Sequence, residues 1–204
     1  MLAVPGNHDI PALPPRRFLR TFAEFERVWG ETEPVYRSET LVACGLDSVR
    51  PWLYQEGVVQ QTQLERIAGR FASASPGAVR VAVLHHHLVS APWRTAKRPL
   101  FRRARVLAAL AAAGAEVVLS GHVHQSTVVE CREFEVASGP LATMVVVTAP
   151  GLGRPRPRRR GEACGLQVVE AEPDALSVLT YALSGERFAP VAARRYPRSS
   201  SPSA

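Results

Sequence analysis

The sequence predicts an α/β fold, and three observations carry that prediction. Two short apolar runs, Val79–Leu84 and Ala115–Ser120, have the length and β-branched content of buried strands, and a stretch of strong helix formers, Arg105–Ala113, lies between them. Each run ends on histidines: His85-His86-His87 after the first, His122 and His124 after the second. In α/β folds, groups that carry chemistry gather at the carboxyl ends of strands. Finally, 204 residues with 46% hydrophobic and 21% charged content can bury one sizeable core.

The other elements follow in order. Met1–Pro5 is a short apolar lead into Gly6-Asn7-His8-Asp9, a glycine-led loop of ligand-type residues. Phe18, Phe22, Phe25 and Trp29 recur at spacings of three and four, which predicts a helix over 14–29 with those aromatics as its apolar face. Pro15 suits its first turn and Gly30 its stop. Glu39–Leu46 is a strand with small or apolar residues on both faces, as in a covered sheet. Gln60–Ala72 is a second helix, with Leu64, Ile67, Ala68 and Phe71 on one side. Residues 88–99 read as a surface loop in which Trp93 and Arg94 could shape a substrate rim. After Gln125 the runs Ser126–Glu130, Phe134–Val136, Met144–Thr148, Leu166–Glu172 and Leu176–Tyr181 are short strands, expected to form an antiparallel second sheet or a sheet edge. The expected organisation is a single domain over 1–196 and a disordered Pro/Ser-rich tail over 197–204.

The chemistry concentrates in the histidines. All six lie in three clusters: His8, the triplet His85–His87, and the pair His122 and His124. In an extended segment residues i and i+2 face one side, so His122 and His124 are expected to converge on one point. Asn7, His85, His122 and His124 are nitrogen and oxygen donors of the kind that hold Zn, Mn, Fe, Co or Ni rather than Ca. His8 could hydrogen-bond a phosphate oxygen or protonate a leaving group, with Asp9 orienting it.

These three motifs in this order, Gly6-Asn7-His8-Asp9, His85-His86-His87 and Gly121-His122-Val123-His124, resemble the calcineurin-like metallophosphoesterases over about residues 2–150. The resemblance implies a metallophosphoesterase-like sandwich of two sheets flanked by helices. It also implies a dinuclear centre of Mn, Fe or Zn that hydrolyses phosphomonoesters or phosphodiesters. By that resemblance Asn7, His85 and His122 would bind the second metal, His124 the first, and His8 would contact the phosphate, giving His8 and Asp9 the catalytic roles. His85 is preferred to His86 because it follows directly on the strand. The triplet most resembles bacterial members related to cyclic-nucleotide phosphodiesterases. The family's Asp-x-His and Gly-Asp motifs, which precede Gly-Asn-His, do not occur here; the later aspartates, Asp47 and Asp174, stand in other contexts. The expectation is therefore a chain incomplete at its N-terminus, missing its first strands, with impaired turnover, weak metal binding and an exposed apolar edge. A non-catalytic relative holding at most one metal is the alternative.

Composition narrows the partners. The net charge of +7 comes largely from arginine runs, of which Arg154–Arg160 is the densest. No aromatic residues interleave that run and no zinc-finger or helix-turn-helix pattern accompanies it, so a small phosphoester is the expected partner, and a nucleic-acid-binding module using the Arg154–Arg160 loop is the less favoured alternative. Three widely spaced cysteines, Cys44, Cys131 and Cys164, form no C-x-x-C and suit a reducing, cytoplasmic setting. There is no signal-peptide pattern, and no apolar run approaches the roughly 20 residues of a membrane span.

Overall fold

The computed structural model describes residues 1–93, 95–133, 140–153 and 161–198. A six-stranded sheet forms its centre: β1 (Val35–Arg37), β2 (Leu41–Leu46), β3 (Val79–Leu84), β4 (Val117–Ser120), β5 (Thr127–Glu130) and β6 (Val145–Thr148), in the order β1-β2-β3-β4-β6-β5. Strands β2, β3, β4 and β6 are mutually parallel, and β1 and β5 are antiparallel edges. Parallel neighbours need crossovers, and helices α3 (Gln61–Ala72) and α4 (Arg103–Ala112) supply two of them. A second, antiparallel sheet of β7 (Gly165–Ala171), β8 (Ala175–Ser184) and β9 (Arg187–Pro197) covers part of the opposite face. The expected two-sheet α/β sandwich with flanking helices is thus the observed architecture.

The alternation of β-strand side chains divides the core in two. Val42, Cys44, Leu46, Ala82, Leu84, Val118 and Val146 face the helices, where Leu64, Ile67, Phe71, Leu107 and Leu110 meet them. Val79, Val81, Val117, Val145 and Val147 face the second sheet and pack on Leu176, Val178 and Tyr196. Burial of each such side chain contributes about 1.5–3 kcal/mol. Gln60 and Gln63 form a reciprocal capping box that fixes the start of α3.

The two sheets are unequal in width. Three strands cover six, and the uncovered part of the first sheet is a cleft of about 950 Å³. Leu41, Ala43, Val83 and Leu119 form its floor, and Val169 and Ala171 of β7 form one wall.

Four expectations need correction. The helix predicted over 14–29 is two short ones, α1 (Arg16–Leu19) and α2 (Ala23–Trp29). Its aromatic stripe is not the buried face: Phe25 is 5% exposed, but Phe18 is 53% and Trp29 48% exposed. Arg17 turns inward instead and donates to the carbonyls of Pro51, Pro11 and Leu53, which ties α1 to that loop. Next, β5 is the antiparallel sheet edge that was one of the two expectations, but β6 lies inside the main sheet and not in a second one. The four residues of β6 are buried on both sides, and such a strand sits inside a sheet. Strand β9 was not expected, because its arginines and its mostly exposed residues mark it as a solvated edge. Lastly, the boundary at 197 falls inside the fold. Pro197 closes β9, and Arg198 donates to Glu116, the Glu172 carbonyl and the Gly77 carbonyl. The strand expected at Phe134–Val136, Arg94, the run Arg154–Arg160 and residues 199–204 lie outside the described residues.

Candidate metal centre

Three chain segments meet at the carboxyl ends of β3 and β4. The first is the Gly6–Asp9 turn. The Asp9 N–H donates to the Gly6 carbonyl at 3.0 Å, and the Asp9 carboxylate accepts the Gly6 N–H at 2.7 Å. Asp9 thereby closes the turn. Asn7 points inward and is buried, while His8 and Asp9 are exposed. The Asn7 amide donates to the Tyr54 carbonyl at 2.9 Å, which leaves its Oδ1 aimed at His85. Gly6 permits the approach: a Cβ there would lie 2.9 Å from the His85 ring.

The second segment is the triplet directly after β3. His85 Nε2 lies 3.0 Å from Asn7 Oδ1 and 3.0 Å from His122 Nδ1. His86 and His87 are both buried, and the Nδ1 of His86 lies 2.8 Å from the Ser48 hydroxyl. The third segment follows β4. It is not extended: His122 has φ 71° and His124 has φ 60°, both left-handed. Non-glycine residues rarely adopt that conformation, and it carries a cost of about 1–3 kcal/mol each. The bend is held by the Gly121 N–H on the His85 carbonyl and the Val123 N–H on the Gly121 carbonyl. It sends His122 into the cluster and sets His124, half-buried, against Gly151. The i, i+2 alternation expected for this pair is therefore absent.

Asn7, His85 and His122 are thus brought together as the sequence suggested. Among the described residues the three imidazoles whose nitrogens lie within 4.8 Å of one another are His85, His86 and His122; His124 is not in that group. Ser48, Lys97 and Gly57 also shape the site. Lys97 was visible only as a loop cation, and nothing in the sequence marked Ser48 or Gly57. The Lys97 ammonium donates to the His122 carbonyl. Asp47 takes part elsewhere: it pairs with Arg50 at 3.2 Å and accepts the Val49 N–H.

Electrostatics keep the cluster neutral. Burial pushes His122 down to about 2, with Lys97 the next cause. Burial likewise lowers His85 to about 4, followed by Lys97, and His86 to about 3, followed by His85. Neutral imidazoles keep a lone pair and need no proton release to bind a metal. The buried His122 Nε2 and His86 Nε2 have no hydrogen-bond partner among the described residues. An amide oxygen 3.0 Å from one imidazole nitrogen, with a second imidazole at the same distance, fits a divalent transition ion with bonds of about 2.0–2.2 Å. Among the described residues no carboxylate joins the group.

No curated protein matches the sequence. Among solved structures, GAP50, the anchor in the inner membrane complex of Plasmodium, is similar at 12% identity and TM-score 0.53. The match covers 82% of this chain and 55% of that one, so this chain spans about half the length of GAP50. Vps29 of Entamoeba histolytica, in a complex with Zn²⁺, aligns at 14% identity and TM-score 0.33, over 56% of this chain and 54% of that one. The profile of the calcineurin-like phosphoesterases matches residues 1–126, a span that contains the turn, the triplet and the bend with its two left-handed histidines. With these three segments meeting at the strand ends of an α/β sandwich, the chain belongs to the calcineurin-like phosphoesterase family.

Proposed function

We propose that this chain binds a divalent transition metal, Mn, Fe or Zn, and acts on small phosphoesters. The observation that carries the reading is the convergence of Asn7 Oδ1 and His122 Nδ1 on His85 Nε2, each at 3.0 Å. A bound ion would supply an activated water and polarise the phosphoryl group. The chain's own residues do the rest. Asn7 is oriented by the Tyr54 carbonyl. His8 stands exposed on the turn, where it can donate to a phosphate oxygen or a leaving group. The left-handed bend holds His122 in place against its own backbone preference.

Turnover by these residues alone is low in this reading. A donor set of one amide oxygen and imidazoles brings no negative charge to offset that of the ion. The carboxylate that would bridge two ions is not among the described residues of the cluster, which favours one ion over two. A non-catalytic metal-binding relative is the second reading, supported by the same observation. Among the described residues no helix is long and apolar enough to cross a membrane. Cys44 and Cys164, which form no disulfide, agree with a reducing, cytoplasmic setting.

The test is elemental analysis of the purified chain together with hydrolysis of bis(p-nitrophenyl) phosphate in Mn²⁺, Fe²⁺ or Zn²⁺. One ion per chain and slow, chelator-sensitive hydrolysis that disappears in His122→Ala are expected. An ion without hydrolysis selects the second reading. No ion in any condition refutes both.

A further inference from the structure

We infer that His86 is a third imidazole ligand of the metal centre and that Ser48 is the residue that positions it. This rests on the metal-binding reading above and adds a ligand to it. The family resemblance uses only His85 from the triplet. In this structure His86 is 1% exposed, and its Nδ1 lies 2.8 Å from Ser48 Oγ. In the tautomer that donates its Nδ1–H to that hydroxyl, the lone pair of the neutral ring resides on Nε2. That Nε2 is buried and has no hydrogen-bond partner among the described residues. A buried polar atom without a partner is costly, and such atoms mark places where something else supplies one.

The ring also stands in the right place. His86 belongs, with His85 and His122, to the group whose nitrogens lie within 4.8 Å of one another. Its centroid is 4.9 Å from that of His85 and 4.7 Å from that of His122. Two nitrogens sharing one zinc-sized ion lie roughly 3–4 Å apart, and the three rings hold their ligand nitrogens within 4.8 Å of one another. The far side of the ring is sealed by the backbone at Gly57, where a Cβ would lie 2.3 Å from His86 Cγ. Any side chain at 57 would therefore displace the ring. Second-sphere hydrogen bonds of the Ser48 type set the tautomer and orientation of a ligating histidine.

His87 is the internal control. It is equally buried, and both its ring nitrogens lack a partner among the described residues. Yet it stacks beside His122 at 5.9 Å and stands outside the group of three. Burial without a partner does not by itself make a ligand; convergence with other donors does.

The test uses the full chain labelled with ¹⁵N-histidine, stripped by chelator and titrated with Zn²⁺ at pH 7 under long-range ¹H–¹⁵N correlation. The His86 Nε2 resonance is expected to shift at the same zinc equivalents as those of His85 and His122, with His87 unmoved. Movement of His85 and His122 without His86 overturns the inference and leaves the metal-binding reading standing. No movement at any histidine refutes both. In parallel, Co²⁺ affinity by calorimetry is expected to fall about 10–100-fold or more in His86→Ala and about 10-fold in Ser48→Ala. It is expected to stay unchanged in His87→Ala. Wild-type affinity in a folded His86→Ala chain also overturns the inference.

Discussion

Replacing His87 by leucine is expected to stabilise the chain, and to do so more strongly in mild acid. His87 is fully buried, and neither ring nitrogen has a hydrogen-bond partner among the described residues. An unsatisfied buried polar group costs about 1–3 kcal/mol, and leucine removes that cost at some loss of shape fit, of order 1 kcal/mol. The expected net gain at pH 7.5 is about 1 kcal/mol. Acid adds to it. Burial, then Lys97 and Arg103, hold His87 down at about 4, below the 6.5 of an unfolded histidine. Between those values the unfolded chain binds the proton and the folded chain does not, so stability is lost as pH falls through 6.5. At pH 5.5, one unit below the unfolded value, that loss is about 1.4 kcal/mol, which His87→Leu escapes. Urea denaturation of both proteins in chelator at pH 7.5 and 5.5 measures the difference directly. A variant less stable than wild type at both pH values, or a gap that does not widen in acid, refutes the reasoning and shows that the His87 nitrogens have a partner.

Three further outcomes are expected. Phe71→Ala empties a fully buried position where α3 meets the sheet, and is expected to cost about 3–5 kcal/mol by urea denaturation. Arg198→Ala breaks a nearly buried pair with Glu116 and two carbonyl contacts; a loss of about 3 kcal/mol and faster proteolysis near β9 are expected. The 950 Å³ cleft, floored by Leu41, Ala43, Val83 and Leu119, is expected to enhance the fluorescence of an apolar dye while the chain is fully native by circular dichroism, and Val83→Asp to abolish the enhancement.

The strands that carry the histidines were legible because their signals are local. Val79–Leu84 is a run of mostly β-branched and apolar residues, and its sequence bounds are its structural bounds. Helix α3 was legible from the period of Leu64, Ile67 and Phe71. The N-terminal helix misled because periodicity counts apolar residues and cannot see what lies opposite them. Phe18 and Trp29 have the right spacing but no core to enter, whereas Arg17 finds three carbonyls. The placement of β6 between β4 and β5 is a long-range pairing choice, and four buried residues of valine and threonine are compatible with either sheet. At the site, residue types were legible and backbone was not. Asn7, His85 and His122 converge as expected, but through a left-handed bend and not through strand alternation, and that bend separates His124 from the group. Ser48 and Gly57 act through contacts formed across 38 and 29 residues of chain with His86, beyond any local pattern.

The electrostatics of the cluster set two demands against each other. The other charged groups that bear on its histidines are basic: Lys97 acts on His85, His86, His87 and His122, Arg50 on His86, and Arg103 on His87. This surplus, together with burial, keeps the imidazoles unprotonated, which is the form a metal needs. It also repels the metal itself, since neutral donors bring no charge to offset it. The same surplus attracts a phosphate, whose negative charge is what the cluster lacks. On the proposed reading a metal and a phosphate would therefore favour each other's binding, because each would supply the charge that the other's site is missing. A carboxylate added to the group would strengthen the metal's hold and weaken that mutual dependence. On that reading the charge that the donors bring would govern the chemistry of the site more than their number.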